Sequence, residues 1–211
     1  MLKFEYPKIP ARRIVPDDSI QQLLDRLRSG DRSALEELLQ TQRESVRRFL
    51  EFRLDPRLRS RLDVSDVIQE AQLEVALRID EFLARSPMPF RIWLLKTAHQ
   101  QLLRVRRHHV AACRDVANDV ALPDHASILL ASRLAGGAGT PSQILSQEEQ
   151  ARRVRAALAD LPEADREVIL LRTFEGLSNQ EAAQVLDLEP DATSKRFTRA
   201  LLKLRQALNE A

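Results

Sequence analysis

The stretch GLSNQEAAQVLDLEPDATSKRFTRALLKLR, Gly176 to Arg205, decides the fold of this chain. Ser178 is a good N-cap, and Glu181 lies three residues on, where its carboxylate can return to the cap's own amide. A helix therefore begins at about Asn179, with Ala182, Val185 and Leu186 as its inward stripe. Asp187-Leu188-Glu189 breaks the helical pattern, and Pro190 presets φ for the first turn of a second helix. On a wheel of 3.6 residues per turn, Thr193, Phe197, Ala200, Leu201 and Leu204 fall together and pack inward. Ala192, Lys195, Arg196, Arg199 and Lys203 form a separate, cationic stripe. A short helix, a turn and a longer helix with a basic outer face is the helix-turn-helix arrangement, whose second helix enters the DNA major groove. An ordinary helical hairpin with a solvated basic face would carry the same pattern, so the rest of the chain must decide.

Composition narrows the class. The 211 residues suffice for one large domain or two small ones, and 30% charged with 4% aromatic residues suits helices with alternating surface charge. The formal net charge of +2 says little about nucleic acid, so only the placement of basic residues can. Cys113 is the only cysteine, which excludes an intrachain disulfide and favours a reducing compartment. With His108 and His109 it matches no structural zinc spacing. No run approaches membrane-spanning length and no signal-peptide core is present, so a cytoplasmic location without membrane insertion is expected.

The pattern is helical almost throughout. Residues 1–18 carry three prolines and read as an extended arm. Ile20, Leu23, Leu24 and Leu27 then recur at helical spacing up to Ser29-Gly30, and Asp31 or Ser33 can cap the helix that follows. Arg57 to Leu62 reads as a basic connector. In DVSDVIQEAQLEVALRIDEF, from Asp63, the residues Val67, Ile68, Ala71, Val75, Ile79 and Phe82 form a core stripe. Leu73 and Leu77 lie off that stripe, so they are either buried in a small bundle or reserved for another surface. In FRIWLLKTAHQQLLRVRRHH, from Phe90, one side carries Phe90, Trp93, Leu94, Thr97, Gln101 and Val105. The other carries Lys96, His99, Gln100, Leu103, Arg106 and Arg107. Three arginines and two histidines at the end of this helix exceed what the macrodipole accounts for and point to a phosphate-facing surface. A glycine-bearing segment follows, with a short helix expected around 127–134. Helical period resumes at Glu148, and Glu163 to Phe174 reads as one helix closed by Gly176.

Two helical modules, each with one basic helix, joined by a flexible segment, resemble bacterial RNA polymerase sigma factors of the compact extracytoplasmic-function (ECF) type. The resemblance is carried by DVSDVIQEAQLEVALRIDEF (63–82), PFRIWLLKTAHQQLLRVRR (89–107) and the run from Leu161 through the final helix to Arg205. It implies an all-α protein of two small helical domains joined by a flexible linker, with a C-terminal helix-turn-helix. The expected divisions are an arm at 1–18, a region-two-like domain at 19–110, a linker at 111–147 and a region-four-like domain at 148–211.

The resemblance also implies roles. Asp66, Gln69, Glu70 and Leu73 would dock on core RNA polymerase. Lys96, His99, Gln100, Leu103, Arg106 and Arg107 would face the downstream, minus-ten promoter element. Ala192, Lys195, Arg196, Arg199 and Lys203 would read the upstream, minus-thirty-five element. Trp93, placed on the core stripe, is expected to pack rather than stack on a base. The partners implied are core polymerase and promoter DNA, and the linker permits control by an anti-sigma inhibitor. No cofactor, metal or catalytic residue is expected.

Three departures from the family pattern bear on promoter sequence. Asp187 stands where a turn glycine is usual, which is tolerable because Asp visits left-handed conformations. Glu189 and Asp191 place negative charge at the start of the recognition helix. His99, Gln100 and Arg104 replace commoner residue types. Two rival readings are a DNA-binding regulator that makes no polymerase contact, and a metal-dependent nuclease using Asp63, Asp66 and Glu70. The second lacks a third convergent ligand and a recognisable base.

Overall fold

A computed structural model describes residues 17–51, 53, 63–85, 87–112 and 144–210. The expected arm, the connector at 57–62, Cys113 and the short helix at 127–134 lie outside the described residues. Every regular element among those described is helical. The helices are α1 (Asp17–Arg28), α2 (Ser33–Glu51), α3 (Val64–Arg85), α4 (Phe90–Ala112), α5 (Ile144–Ala159), α6 (Glu163–Ile169), α7 (Asn179–Leu186) and α8 (Pro190–Glu210).

Local chemistry sets the boundaries. Gly30 takes φ 96° after α1, where a side chain would be strained, and the Asp31 amide returns to the Arg26 carbonyl at 3.0 Å. Asp31, not Ser33, anchors the start of α2, its Oδ1 accepting from the Ser33 amide at 3.1 Å and from its hydroxyl at 2.6 Å. Asp63 does the same before α3, accepting from the Ser65 amide at 2.8 Å. That bond gives its carboxylate a structural task. Helix α4 runs to Ala112 and α5 begins at Ile144, four residues ahead of the expected start.

Helices α1 to α4 surround one core, in which Phe49, Leu38, Ile68, Ile79, Ile92 and Leu102 are sealed from solvent. Burying each such side chain contributes about 1.5–3 kcal/mol. Trp93 packs as expected. Its ring stacks on Phe82 with centroids 4.4 Å apart and planes within 13°, and Phe90 meets both rings edge-on at 5.7 and 5.9 Å. A second core gathers Val154 and Leu158 from α5, Leu161 from the turn after it, Ile169 from α6, Leu170 just beyond it, and Phe197 and Leu204 from α8.

The two cores touch. Leu171, Leu177, Ala182 and Val185 belong to the first core although they come from the C-terminal helices, and α7 lies against α4. The apolar stripe of α7 thus faces α4 as well as its own bundle.

One expected element changes character. Residues Glu163 to Phe174 do not form a uniform helix: beyond Ile169 the chain widens into a π turn over Leu170–Phe174, in which the Glu175 amide reaches the Leu170 carbonyl at 3.1 Å. Gly176, at φ 68°, then turns the backbone toward α7. The wider turn brings Arg172 over the Phe197 ring, 5.2 Å from its centroid, which ties this segment to α8.

Candidate nucleic-acid interface

The helix-turn-helix is built as its sequence requires. Ser178 Oγ accepts from the Glu181 amide at 3.2 Å, and Glu181 Oε2 accepts from the Ser178 amide at 2.7 Å, completing the capping box. Asp187 closes α7 at φ 53°, and the Leu188 amide returns to the Ala183 carbonyl at 3.0 Å. Asn179 Nδ2 donates to the Pro190 carbonyl at 2.7 Å, fixing the start of α8 against the start of α7.

Helix α8 presents the expected face. Thr193, Phe197, Ala200 and Leu204 are buried, whereas Ala192, Lys195, Arg199 and Lys203 are exposed and Arg196 is half-buried. Lys195, Arg196 and Arg199 hold no ion pair among the described residues. Lys203 is different, its Nζ sitting 2.7 Å from Asp165 Oδ2.

On α3, the question left open by the periodicity is answered by exposure. Leu73 is 57% and Leu77 is 73% exposed, in contrast to the sealed stripe beside them. Asp66, Gln69 and Glu70 are exposed as well. Leu73 and Leu77 thus form an exposed apolar pair on α3, with Asp66, Gln69 and Glu70 exposed toward its start.

The outer side of α4 departs from expectation. His99 was expected to face DNA, but it is 6% exposed. Its ring meets Phe49 edge-on at 6.4 Å. Burial holds its pKa below the usual histidine value, with Arg53 and Arg106 acting the same way against Glu167 and Glu163. Lys96 pairs with the Asp187 carboxylate, which also accepts from Gln100 Nε2 at 3.4 Å. Arg106 Nη1 lies 2.6 Å from Glu163 Oε1, and its Nη2 donates to the Arg53 carbonyl. Leu103 is half-buried and Arg107 is exposed. The physical reason is that the C-terminal helices cover part of this face, while Gln100 and Arg107 stay exposed.

Arg53, which the sequence did not single out, forms the centre of that boundary. It is 3% exposed, its guanidinium lies 3.7 Å from the centroid of the Phe49 ring, and Nη1 donates to the Phe49 carbonyl at 2.8 Å. Its Nε donates to Glu167 Oε2 at 2.8 Å, and Nη1 lies 3.5 Å from Glu175 Oε1. Burial by itself would raise the Glu167 carboxyl, but Arg53, His99 and Arg106 outweigh it and the pKa falls below the usual range. One signal was available in the sequence: Glu167 shares a helical face with Leu170 and Leu171, where a lone charge calls for a buried partner.

The ionic contacts across this boundary add little net adhesion. Partly exposed pairs such as Lys96–Asp187 and Arg106–Glu163 contribute about 0–1 kcal/mol each. The buried Arg53–Glu167 attraction is largely offset by desolvation. Arg53 Nη2 and His99 Nδ1 are buried without a hydrogen-bond partner, at a cost of about 1–3 kcal/mol each. Apolar packing of α7 therefore supplies most of the adhesion, and the charges set the register.

The C-terminal unit is therefore a helix-turn-helix whose second helix exposes Lys195 and Arg199, joined to a helical bundle with an exposed leucine pair. Residues 151–204 match the family model for sigma-70, region 4. The chain is 31% identical over 180 residues to the ECF RNA polymerase sigma factor SigD of Mycobacterium tuberculosis, covering 85% of this chain and 79% of that one. It is 27% identical over 180 residues to the ECF RNA polymerase sigma-E factor of Haemophilus influenzae, covering 85% and 90%. The fold is similar to CnrH, solved in complex with the cytosolic domain of CnrY, with a TM-score of 0.57 at 23% identity over 92% of this chain and 99% of that one. It is also similar to the sigma factor RpoE of Bartonella quintana, solved with the anti-sigma factor NepR, with a TM-score of 0.51 at 19% identity over 79% and 91%.

The chain belongs to the ECF RNA polymerase sigma factors. It directs promoter-specific initiation of transcription by RNA polymerase. No helix among the described residues is long and apolar enough to cross a membrane.

Proposed function

We propose a division of labour among three surfaces. Helix α8 reads the upstream promoter element through Lys195, Arg196 and Arg199, with Ala192 allowing close approach and Lys203 adding phosphate contact once it leaves Asp165. Helix α4 meets the downstream element through Lys96, Gln100, Leu103, Arg106 and Arg107, and His99 supports that face from behind. On α3, Asp66, Gln69, Glu70 and Leu73 grip core polymerase. Residues 19–110 and 148–211 act as separate working units on either side of the linker.

The observation that carries this reading is the contrast on α8: Phe197 and Leu204 are buried while Lys195 and Arg199, on the opposite stripe, are exposed and unpaired among the described residues. Cations held on a rigid helix suit the phosphates and guanine edges of a major groove. The protein works in the cytoplasm, performs no chemistry of its own and leaves bond formation to the polymerase. A protein inhibitor of the anti-sigma kind is a fitting regulator, because it need only hold the two units together.

Run-off transcription with core polymerase on fragmented genomic DNA tests the proposal. Discrete start sites sharing upstream and downstream elements are expected, with selection of the upstream element lost in Lys195→Ala/Arg199→Ala. Start sites unaltered by that double substitution would remove α8 from promoter reading.

A further inference from the structure

We infer that Asp191 is a base-reading residue of α8, its carboxylate accepting from the exocyclic amino group of a cytosine in the upstream element. The inference rests on the proposed role of α8. At about 100° per residue, the buried Thr193, Phe197, Ala200 and Leu204 centre on one direction. The line opposite runs through Asp191, Lys195 and Leu202, all exposed, with the exposed Thr198 and Arg199 on either side of it. Leu202, 57% exposed, shows how squarely that line faces outward. Ala192, Arg196 and Lys203 lie toward one edge, where Arg196 is half-buried and Lys203 is held by Asp165. The part of α8 that points at the floor of a groove is therefore mixed in charge, and Asp191 leads it.

The start of α8 is built without this carboxylate. Asn179 Nδ2 donates to the Pro190 carbonyl at 2.7 Å, and the Thr193 amide and hydroxyl both return to the Glu189 carbonyl, at 2.9 and 3.1 Å. Asp191 itself has no hydrogen-bond or ion-pair partner among the described residues, Lys195 one turn on included. The macrodipole favours an acid anywhere in the first turn. On the outward line, however, that acid enters the groove between two rows of phosphates, which repel it unless a donor meets it. An ionised carboxylate only accepts. In the major groove guanine shows two acceptors, thymine an acceptor and a methyl group, and adenine an acceptor beside its amino group, whereas cytosine shows a donor alone. The carboxylate thus selects cytosine by attraction and rejects the other bases by repulsion. Lys195, about 6 Å further along the helix axis, is a donor suited to the guanine of the same or a neighbouring pair.

The test selects duplexes with the holoenzyme, full chain plus core polymerase, from a library randomised across the upstream element with the downstream element fixed. In the parent, one position should prefer cytosine about tenfold. Asp191→Ala should make that position indifferent and leave the others as they were. Asp191→Asn should move its preference toward adenine, because an amide both donates and accepts. Circular dichroism should show the same helix content in all three proteins. A selected element identical in the parent and both Asp191 variants overturns the inference, and so does a preference lost evenly at every position, which would make the carboxylate a matter of helix geometry. Lys195→Ala/Arg199→Ala separates the two levels. If that variant loses the element while the Asp191 variants keep it, the carboxylate alone is struck out; if it keeps the element, the role of α8 falls and the inference with it.

Discussion

Arg53 and Glu167 form a buried ion pair at 2.8 Å between residues 114 positions apart, joining the end of α2 to the middle of α6. Among the described residues it is the most deeply buried ion pair between the two helical groups, and its value differs sharply between intact and half-removed forms.

Replacing Glu167 by Gln leaves the buried Arg53 guanidinium with only the more distant Glu175 carboxylate, 3.5 Å from Nη1, and should destabilise the folded chain by about 3 kcal/mol. Replacing both partners, as Arg53→Met/Glu167→Leu, should cost far less, because the desolvation term disappears with the charges. Urea unfolding of the two variants checks the order, and equal losses would contradict it.

Leu73 should matter to assembly and not to folding. With 57% of its surface exposed, Leu73→Glu removes no core contact, so the helical circular dichroism and urea midpoint should stay near those of the parent. Binding to core polymerase should weaken at least tenfold in a pull-down titration. Normal assembly would exclude this face from the polymerase contact.

Arg199 is exposed, with its Nε donating to the Lys195 carbonyl at 3.3 Å. If its guanidinium reads a base, Arg199→Ala should weaken promoter binding by about 1–3 kcal/mol and relax selectivity at one position. A uniform loss across promoter sequences, seen in competition binding, would make it a phosphate contact instead.

His99 gives the closed chain a pH dependence whose sign follows from burial. Its pKa is lowered when α4 is covered and returns toward about 6.5 when the units part. Between the two values the opened chain binds a proton that the closed chain refuses. The closed form is therefore favoured above about pH 6.5 and loses ground as pH falls, by at most about 1.4 kcal/mol per pH unit. Glu167, also lowered, acts in the same direction at more acidic pH. Arg53, Arg106, Glu163 and Glu167 all face this imidazole and set how far its pKa moves. Scattering between pH 7.5 and 5.5 should register opening in the parent and a weaker response in His99→Gln. An identical response in both would assign the effect to other groups.

Much of this was legible from local rules. The capping box at Ser178 and Glu181, the left-handed Asp187 and the new start at Pro190 depend on neighbours within a few residues, and each appears where the sequence places it. The inward stripe of α8 was equally readable, since one helix face against one core leaves a clean period. Helix α4 was not. It is packed from two sides, so Ile92, Leu95, Ala98 and Leu102 are buried along with the expected Phe90 and Trp93, and part of the polar stripe is covered by a unit distant in the chain, which begins at Ile144. His99 is buried for that reason: polarity marks a side chain as able to meet water, but contact between distant segments decides whether it does. Arg53 escaped notice because a single arginine after a helix carries no period. The π turn at Leu170–Phe174 has no signature in residue type.

Asp187 answers to two demands. Its backbone must bend leftward to end one helix and admit the next, a task glycine would perform with less strain, while its carboxylate engages Lys96 on the far side of the boundary, a task glycine cannot perform. A substitution that eases the turn therefore loosens the grip, and one that keeps the charge on a longer stem strains the turn. Shape and grip are tied at one position, and neither can drift without the other.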